Sequence, residues 1–403
     1  MKRVVIVGAG LAGFTVARRL RELDYQGAIS LFGNEAVAPY DRPPLSKDIL
    51  KGEKTADDVR LQDRAFYEER DIQLHVSAQV TRIRPEDRTV EIGPEELGYD
   101  ALILATGATI RPLPDQMTRD LGGIYGLRDL SDAQALEHAF RAARRVLVIG
   151  GGYIGLEVAA AARSRGLEVT VLEAAPRILG RVAAAPTADI IRALHRHEGV
   201  DIHENTRIVA FTGDGHVTGA TLSDGTRLAT DCVVVGIGVS PNTGLAESAG
   251  LEIDDGIVVD DICQTSRPGI WAAGDCARFP SPHGPMRLES VGNAIAMGEC
   301  VAENIMGAGR PFEVTPWFWS DQFDAKLQIV GLNQGHTRIV ARDGAKDGAI
   351  SYWYYRDDAL ISVDVINEPK TYMVAKRLIE AGKSPDPDDI ADTSQNIKAF
   401  LKS

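Results

Sequence analysis

Two copies of a buried strand running through a glycine-rich turn into a helix, two later apolar strands ending in small-residue turns, and an alternating, aromatic-rich carboxyl-terminal stretch predict an α/β chain. The expected architecture is two Rossmann-like dinucleotide-binding domains followed by a carboxyl-terminal α+β domain. The chain has 403 residues, 44% hydrophobic and 25% charged. That is enough for two or three domains whose cores stand without disulfides.

The first copy is Val4-Val5-Ile6-Val7-Gly8-Ala9-Gly10-Leu11-Ala12-Gly13. Its apolar run reads as a parallel strand buried on both faces, residues 11–23 as the helix and residues 28–32 as the next strand, a βαβ unit. The second is Val146-Leu147-Val148-Ile149-Gly150-Gly151-Gly152-Tyr153-Ile154-Gly155, with a helix expected over 156–165, closed by Gly166, and a strand over 168–172. Between them, Ala101-Leu102-Ile103-Leu104-Ala105-Thr106-Gly107 is a short buried strand ending in a turn, and Arg111-Pro112-Leu113-Pro114 breaks regular structure. Residues 232–238, followed by Pro241, and then Gly269-Ile270-Trp271-Ala272-Ala273-Gly274-Asp275 repeat that arrangement and return the chain to the first domain. From about Pro316 the texture changes. Ile350-Ser351-Tyr352-Trp353-Tyr354-Tyr355 and residues 360–365 read as antiparallel strands. The expected boundaries are 1–110 and 240–315 for the first domain, 111–239 for the second and 316–403 for the third.

A glycine fingerprint alone is weak, but each copy here follows a strand, opens a helix and precedes an acidic residue at roughly the ~20-residue distance a dinucleotide site uses. Gly8 and Gly150 make the tight turn, Gly10 and Gly152 admit a pyrophosphate, and Gly13 and Gly155 let helix and strand pack closely. Leu11 and Ala12, and likewise Tyr153 and Ile154, stand at the helix amino termini, whose positive field suits phosphate. Glu173 ends Val169-Thr170-Val171-Leu172, where a carboxylate accepts ribose hydroxyls and repels a 2′-phosphate, favouring NADH over NADPH. Arg177 and Arg181 follow closely, and a plain surface carboxylate is the alternative. Glu35, after Phe32-Gly33-Asn34, is the matching ribose ligand of the first copy, placed late; a solvated glutamate is the other reading.

A net charge of −13 argues against nucleic acid as a bulk partner. Cys232, Cys263, Cys276 and Cys300 lie far apart and form no paired motif, so neither zinc nor a redox disulfide is signalled, and a reducing cytoplasm is the simplest setting. Lys2-Arg3 and the apolar run after them imitate a signal peptide, but cleavage would remove the fingerprint. No apolar run reaches the ~20 residues of a membrane helix. His195 and His197, two apart on a helix, do not share a face, and no metal is assigned.

Gly8 to Gly13, Asp41-Arg42-Pro43-Pro44-Leu45-Ser46-Lys47, Ala105-Thr106-Gly107, Gly150 to Glu157, Gly274-Asp275-Cys276 and Pro316-Trp317-Phe318-Trp319-Ser320-Asp321-Gln322 together resemble the NADH:ferredoxin reductases of bacterial oxygenase systems, nearly end to end. The resemblance implies a glutathione-reductase-like fold in which an NADH domain interrupts an FAD domain. It implies that Asp275 holds the ribityl chain of FAD from a helix start, that Lys47 and Glu157 form a pair beside the isoalloxazine, and that Arg42, Ala105, Thr106, Gly107 and Trp319 join Gly8, Gly10, Leu11, Ala12, Gly13 and Glu35 around FAD. Gly238 would join Gly150, Gly152, Tyr153, Ile154, Gly155 and Glu173 around NADH. Tyr153 would lie over the flavin, although a packing tyrosine reads nearly as well. Trp317 and Trp319 share a face of an extended segment; core packing and a place at the flavin edge both remain open.

Disulfide reductases of this fold need a cysteine pair, and its peroxidases a reactive thiol, where this chain has Pro-Pro-Leu-Ser-Lys. The expected acceptor is therefore a one-electron [2Fe–2S] ferredoxin serving a cytochrome P450 or Rieske oxygenase. Rubredoxin or another small carrier is the alternative, as is an apoptosis-inducing-factor-like flavoprotein that senses NADH. Arg64, Arg310 and Arg342 are candidates for a basic docking rim, each read more simply as a solvated charge.

Overall fold

The structure, a computed structural model, describes residues 2–118, 120–282 and 284–402. The chain divides into two compact units, each assembled from three stretches: Met1–Asp41, Asp57–Thr109 and Val239–Val314 in the first, Arg42–Ala56, Ile110–Gly238 and Thr315–Ser403 in the second.

The first unit is built on a parallel sheet with strand order Ile270–Ala272, Ala101–Leu104, Arg3–Val7, Ala28–Phe32, Ile72–His75. Val4 pairs with Ile29 on one side and Ala101 on the other, and residues 4–7 and 101–104 are apolar and buried because both faces are covered. The helix Leu11–Glu22 buries Phe14, Val16 and Leu20. The helix Val291–Ile305 lies so close to it that a Cβ on Gly298 would fall 2.9 Å from the Ala12 carbonyl oxygen. Strand order reverses between Arg3–Val7 and Ala101–Leu104, so the chain leaves their carboxyl ends in opposite directions and opens a crevice there.

The second unit repeats the plan with the order Val200–His203, Glu168–Leu172, Arg145–Ile149, Cys232–Val235, Ile124–Tyr125, again parallel. Its reversal falls between Arg145–Ile149 and Cys232–Val235. The helix expected from residue 156 in fact spans Tyr153–Ser164. Extended Gly152 is its cap, and the Leu156 amide already donates to the Gly152 carbonyl at 3.0 Å, so the helix opens directly from the glycine turn.

The carboxyl-terminal part of this unit is the expected α+β element. It is an antiparallel sheet in the order Trp317–Gln322, Ala325–Gly331, Ala359–Ile366, Ile350–Arg356, Arg338–Asp343, carrying the helix Pro369–Glu380. Trp353, Tyr355, Val363, Val365 and Leu378 form its core.

Arg342 is not part of an exposed basic rim. Alternation along Arg338–Asp343 turns Arg342 inward, where it is only 7% exposed. Its guanidinium donates to the carbonyls of Ile390 (2.7 Å), Asp392 (2.8 Å) and Gln395 (2.6 Å), so it fastens the carboxyl-terminal tail and presents no charge to a partner. Arg342→Leu leaves those carbonyls without their charged donor. It is expected to cost roughly 2–3 kcal/mol in urea denaturation and to expose the segment after Asp386 to limited proteolysis.

Candidate functional site

In the first crevice two glycines are dictated by the chain's own packing. A Cβ on Gly8, whose φ is +115°, would lie 2.0 Å from the Ala105 carbonyl oxygen, and one on Gly13 would lie 2.0 Å from that of Gly8. Gly10 is different: a Cβ there meets nothing within 4 Å. No protein atom explains that glycine. It caps Leu11–Glu22 without any side-chain hydrogen bond, so no cap side chain answers the amides at the start of that helix. The fit is to a phosphate-bearing ligand that must come close to the backbone.

A cleft of about 350 Å³ continues from this turn, lined among others by Gly8, Phe32, Asn34, Thr106 and Asn242. Ala105 donates to Val7 at 2.8 Å, and Thr106 is clasped by Asn242: its hydroxyl donates to the Asn242 carbonyl (2.7 Å), and the Asn242 amide donates back to the Thr106 carbonyl (2.9 Å). Gly107, at φ +66°, makes the turn that lets the chain leave. Asn242 was not anticipated; its only sequence signal is its place one residue after Pro241. Glu35 follows the Ala28–Phe32 strand and accepts the Tyr40 hydroxyl at 2.5 Å. Asp275 does not stand at a helix start. It lies in the turn between Ile270–Ala272 and Ala277–Arg278, and the next helix begins only at Val291, because the strand Ala277–Arg278, paired back onto Ile257–Val258, intervenes.

The second crevice has the same logic. A Cβ on Gly150 (φ +108°) would meet the Gly236 carbonyl oxygen at 2.4 Å, and one on Gly155 that of Gly150 at 2.1 Å, whereas Gly152 again has nothing within 4 Å. Glu173 accepts the Gly151 amide at 2.8 Å and the Ala175 amide at 2.7 Å through different oxygens, which fixes the carboxylate and leaves lone pairs for hydroxyl donors. Gly238, at φ +105°, accepts the Arg111 amide at 2.9 Å, and a Cβ on it would point towards the Arg181 guanidinium at 3.6 Å. Ile154 and Ile237 are 43% and 39% exposed, unusual for isoleucine and suited to the flat face of a ring. Tyr153 is half-buried, its hydroxyl has no hydrogen-bond partner among the described residues, and burial raises its phenol well above the usual value.

A charged cluster occupies the same unit. Glu157, on the helix that Gly152 opens, is 6% exposed and accepts Ser46, Ser320 (2.6 Å) and Lys47 (3.2 Å). Burial raises its carboxyl group, and Lys47 and the two serines oppose that shift. The Lys47 ammonium also lies 5.6 Å from the Trp319 ring centre and 3.9 Å from Asp321. Trp317 and Trp319 stack at 5.5 Å and 22°, and Lys376 covers Trp317 at 5.3 Å; the pair is half-exposed rather than core. Arg42, from the same segment as Lys47, donates to the Arg128 carbonyl at 2.6 Å.

Several buried groups were missed in the sequence. Beyond Ser320 stand Gln322 and His195, joined at 2.8 Å, and burial lowers the imidazole to about 4. Asp364 is fully buried against Thr187 (2.6 Å) and Tyr354 (2.7 Å), and burial raises it to about 6. In the first unit the buried Cys300 thiol donates to the Arg310 carbonyl at 3.7 Å and accepts from the Asn304 side-chain amide at 3.3 Å. Among the described residues no group of three or more His, Cys, Asp or Glu is placed to hold a metal, and no helix is long and apolar enough to cross a membrane. Arg64 is 92% exposed in a pair with Glu68, and Arg310 is 67% exposed beside Glu303.

Gly10→Val and Gly152→Val are expected to keep the fold and melting temperature while abolishing nucleotide binding in the first and second crevice respectively, read by cofactor content and nucleotide titration. Gly13→Val should instead unfold or strongly destabilise the first unit. A pH prediction follows from the two buried titratable groups. The unfolded state protonates His195 first as pH falls from 6.5 towards about 4, so that group costs stability on acidification. Asp364 takes its proton in the folded state first, between about 6 and 3.8, so it adds stability on acidification. Each is worth about 3 kcal/mol at most. Urea titrations between pH 7 and 4.5 should therefore show His195→Gln gaining, and Asp364→Asn losing, stability relative to the parent as pH falls.

The pyridine nucleotide-disulphide oxidoreductase family matches residues 2–298, and the reductase C-terminal family matches residues 317–401. Putidaredoxin reductase of Pseudomonas putida is 40% identical over 406 aligned positions, covering 99% of this chain and 96% of that protein. Among solved structures, the ferredoxin reductase for the CYP199A2 system from Rhodopseudomonas palustris superimposes with a TM-score of 0.96 at 38% identity, covering 100% of both chains. The covalent putidaredoxin reductase–putidaredoxin complex does so with a TM-score of 0.95 at 40% identity, covering 100% of this chain and 98% of that one.

Proposed function

The chain belongs to the pyridine nucleotide-disulphide oxidoreductase family, an oxidoreductase family that uses a flavin and a nicotinamide nucleotide, and from that premise we propose that it is an FAD-dependent NADH:ferredoxin reductase. The observation that carries the reading is the pair of open-glycine crevices, one in each unit. One suits a resident flavin nucleotide and the other an exchanging donor. In this reading residues 1–110 and 240–315 form the FAD domain, 111–239 the NADH domain and 316–403 the closing domain, with the segment 42–56 lending Arg42 and Lys47 to the second unit.

FAD supplies the step that neither protein nor nicotinamide can perform alone, since it accepts a hydride and gives up electrons singly. The protein binds and orients. Gly10 and the amides of Leu11 and Ala12 receive the FAD pyrophosphate, Glu35 its ribose, and Ala105, Thr106, Gly107 and Asp275 the rest of the chain. Gly152 and the Tyr153–Gly155 turn receive the NADH pyrophosphate, Glu173 the adenosine ribose, and Gly238 lines the approach. Lys47 offers positive charge to the flavin, Glu157 holds Lys47, and Trp319 flanks it. No dithiol participates: all four cysteines are buried and free, which also supports a reducing cytoplasm as the setting. Electrons then pass directly to a [2Fe–2S] ferredoxin that serves a cytochrome P450 or Rieske oxygenase, as the names of putidaredoxin reductase and the CYP199A2-system reductase suggest. Arg64 and Arg310 remain the cations offered for docking.

Glu173→Ala should lower the NADH-over-NADPH ratio of kcat/KM roughly tenfold, the worth of a lost charged hydrogen-bond acceptor. The reading as a whole is tested by anaerobic stopped-flow reduction with NADH, with and without [2Fe–2S] ferredoxins, followed by cytochrome c reduction. Fast flavin reduction and ferredoxin-dependent turnover are expected. Turnover with rubredoxin alone would reassign the carrier. A long-lived charge-transfer complex that no carrier discharges would overturn the reading in favour of an NADH sensor.

A further inference from the structure

The buried hydrogen bonds around Glu157 have only one consistent direction. As a carboxylate Glu157 can only accept, so the Ser320 hydroxyl spends its single proton on the Glu157 Oε1 atom at 2.6 Å. Ser320 Oγ must then accept from Gln322, which it does from the amide Nε2 at 2.9 Å. That orientation turns Gln322 Oε1 towards His195, 2.8 Å from its Nε2 atom. An amide oxygen cannot donate, so His195 must carry its proton on Nε2. Its other nitrogen, Nδ1, is buried with no hydrogen-bond partner among the described residues, which suits a nitrogen that carries no proton. Every member of this chain is buried: Glu157 is 6%, Ser320 0%, Gln322 1% and His195 0% exposed. The geometry comes from strand alternation, because Ser320 and Gln322 share one face of Trp317–Gln322 while Trp317, Trp319 and Asp321 share the other.

We propose that Ser320, Gln322 and His195 form a one-way hydrogen-bond relay that holds the Glu157 carboxylate, and through it the Lys47 ammonium, in position, with His195 as the terminal positioning residue. This rests on the reading of Lys47 and Glu157 as the pair that serves the flavin. The relay works by elimination of alternatives. Without the Gln322 donor the Ser320 hydroxyl is free to rotate, and the buried carboxylate loses part of what opposes its protonation. A protonated Glu157 leaves Lys47 uncompensated, which favours the electron-rich reduced flavin. The other groups that bear on the pair are Ser46 at the second carboxylate oxygen, Tyr153, whose phenol feels the Glu157 charge, and Asp321, which is 41% exposed beside Lys47; Glu198 is the charge that acts on His195.

Two measurements test it. In the wild-type chain labelled with ¹⁵N-histidine, His195 should be the neutral Nε2–H tautomer at pH 7 and should remain so at pH 5. In the flavin-loaded enzyme the flavin midpoint potential should move to more positive values in Gln322→Leu and His195→Leu, and return towards the wild-type value in His195→Gln, which restores a donor. An Nδ1–H tautomer or a charged ring at pH 7 would overturn the relay, as would potentials unchanged in both leucine variants. The tautomer measurement needs no redox activity and no folded variant, so failure of the reductase reading and failure of the relay are separable.

Discussion

A carboxylate enclosed in the second unit has to be answered from every side, and at Glu157 three separate stretches of chain meet. Ser46 and Lys47 come from the short segment 42–56, Ser320 from an edge strand, and Glu157 itself from the Tyr153–Ser164 helix. Removing one partner of such a buried pair typically costs about 3–5 kcal/mol, because the remaining charge is stranded in a poor solvent. That penalty ties the segment 42–56 to its position among the second unit's elements. It also couples the charge cluster to the glycine fingerprint, since Gly152, Gly155 and Glu157 are placed by one helix and cannot move independently.

The two crevices separate two uses of glycine that sequence patterns merge. Gly8, Gly13, Gly150 and Gly155 are compulsory because a Cβ would collide with a carbonyl oxygen near 2 Å, and these collisions are with backbone that cannot yield. Gly10 and Gly152 have room for a side chain that the protein does not use. The first kind builds the fold, and the second leaves space for something the chain does not itself contain. Each crevice sits where the strand order reverses, so the empty space is a result of topology as much as of composition.

Local signals made the parallel sheets, the glycine turns and the place of Glu173 after a strand end legible, because each depends on neighbours within one βαβ unit. The C-terminal antiparallel sheet was legible from its alternation, and so was the shared face of Trp317 and Trp319. Ser320 and Gln322 escaped notice even though the same alternation places them together on the opposite face, since small polar residues between tryptophans read as solvent-facing until the strand's neighbours are known. His195 was judged only against His197, whereas its partner lies over a hundred residues away. Arg342 read as surface charge because burial of an arginine depends on a distant tail supplying carbonyls. The helix start attributed to Asp275 came with the family resemblance, and the strand Ala277–Arg278 stands between it and the next helix.

The interleaving of the two units has a consequence for synthesis on the ribosome. The strand Ala101–Leu104, buried at every residue, pairs on one side with Ile270–Ala272, which is made only after the whole parallel sheet of the second unit. At ~5–20 residues per second this leaves an apolar, hydrogen-bond-hungry sheet edge open for on the order of ten seconds or more. The nascent chain must spend that interval with its first sheet incomplete and its Val291–Ile305 cover unmade. Such a chain depends on chaperone shelter or slow, cool expression. Cutting it after Thr109 or after Gly238 would leave an amino-terminal fragment that never acquires the last strand of its sheet.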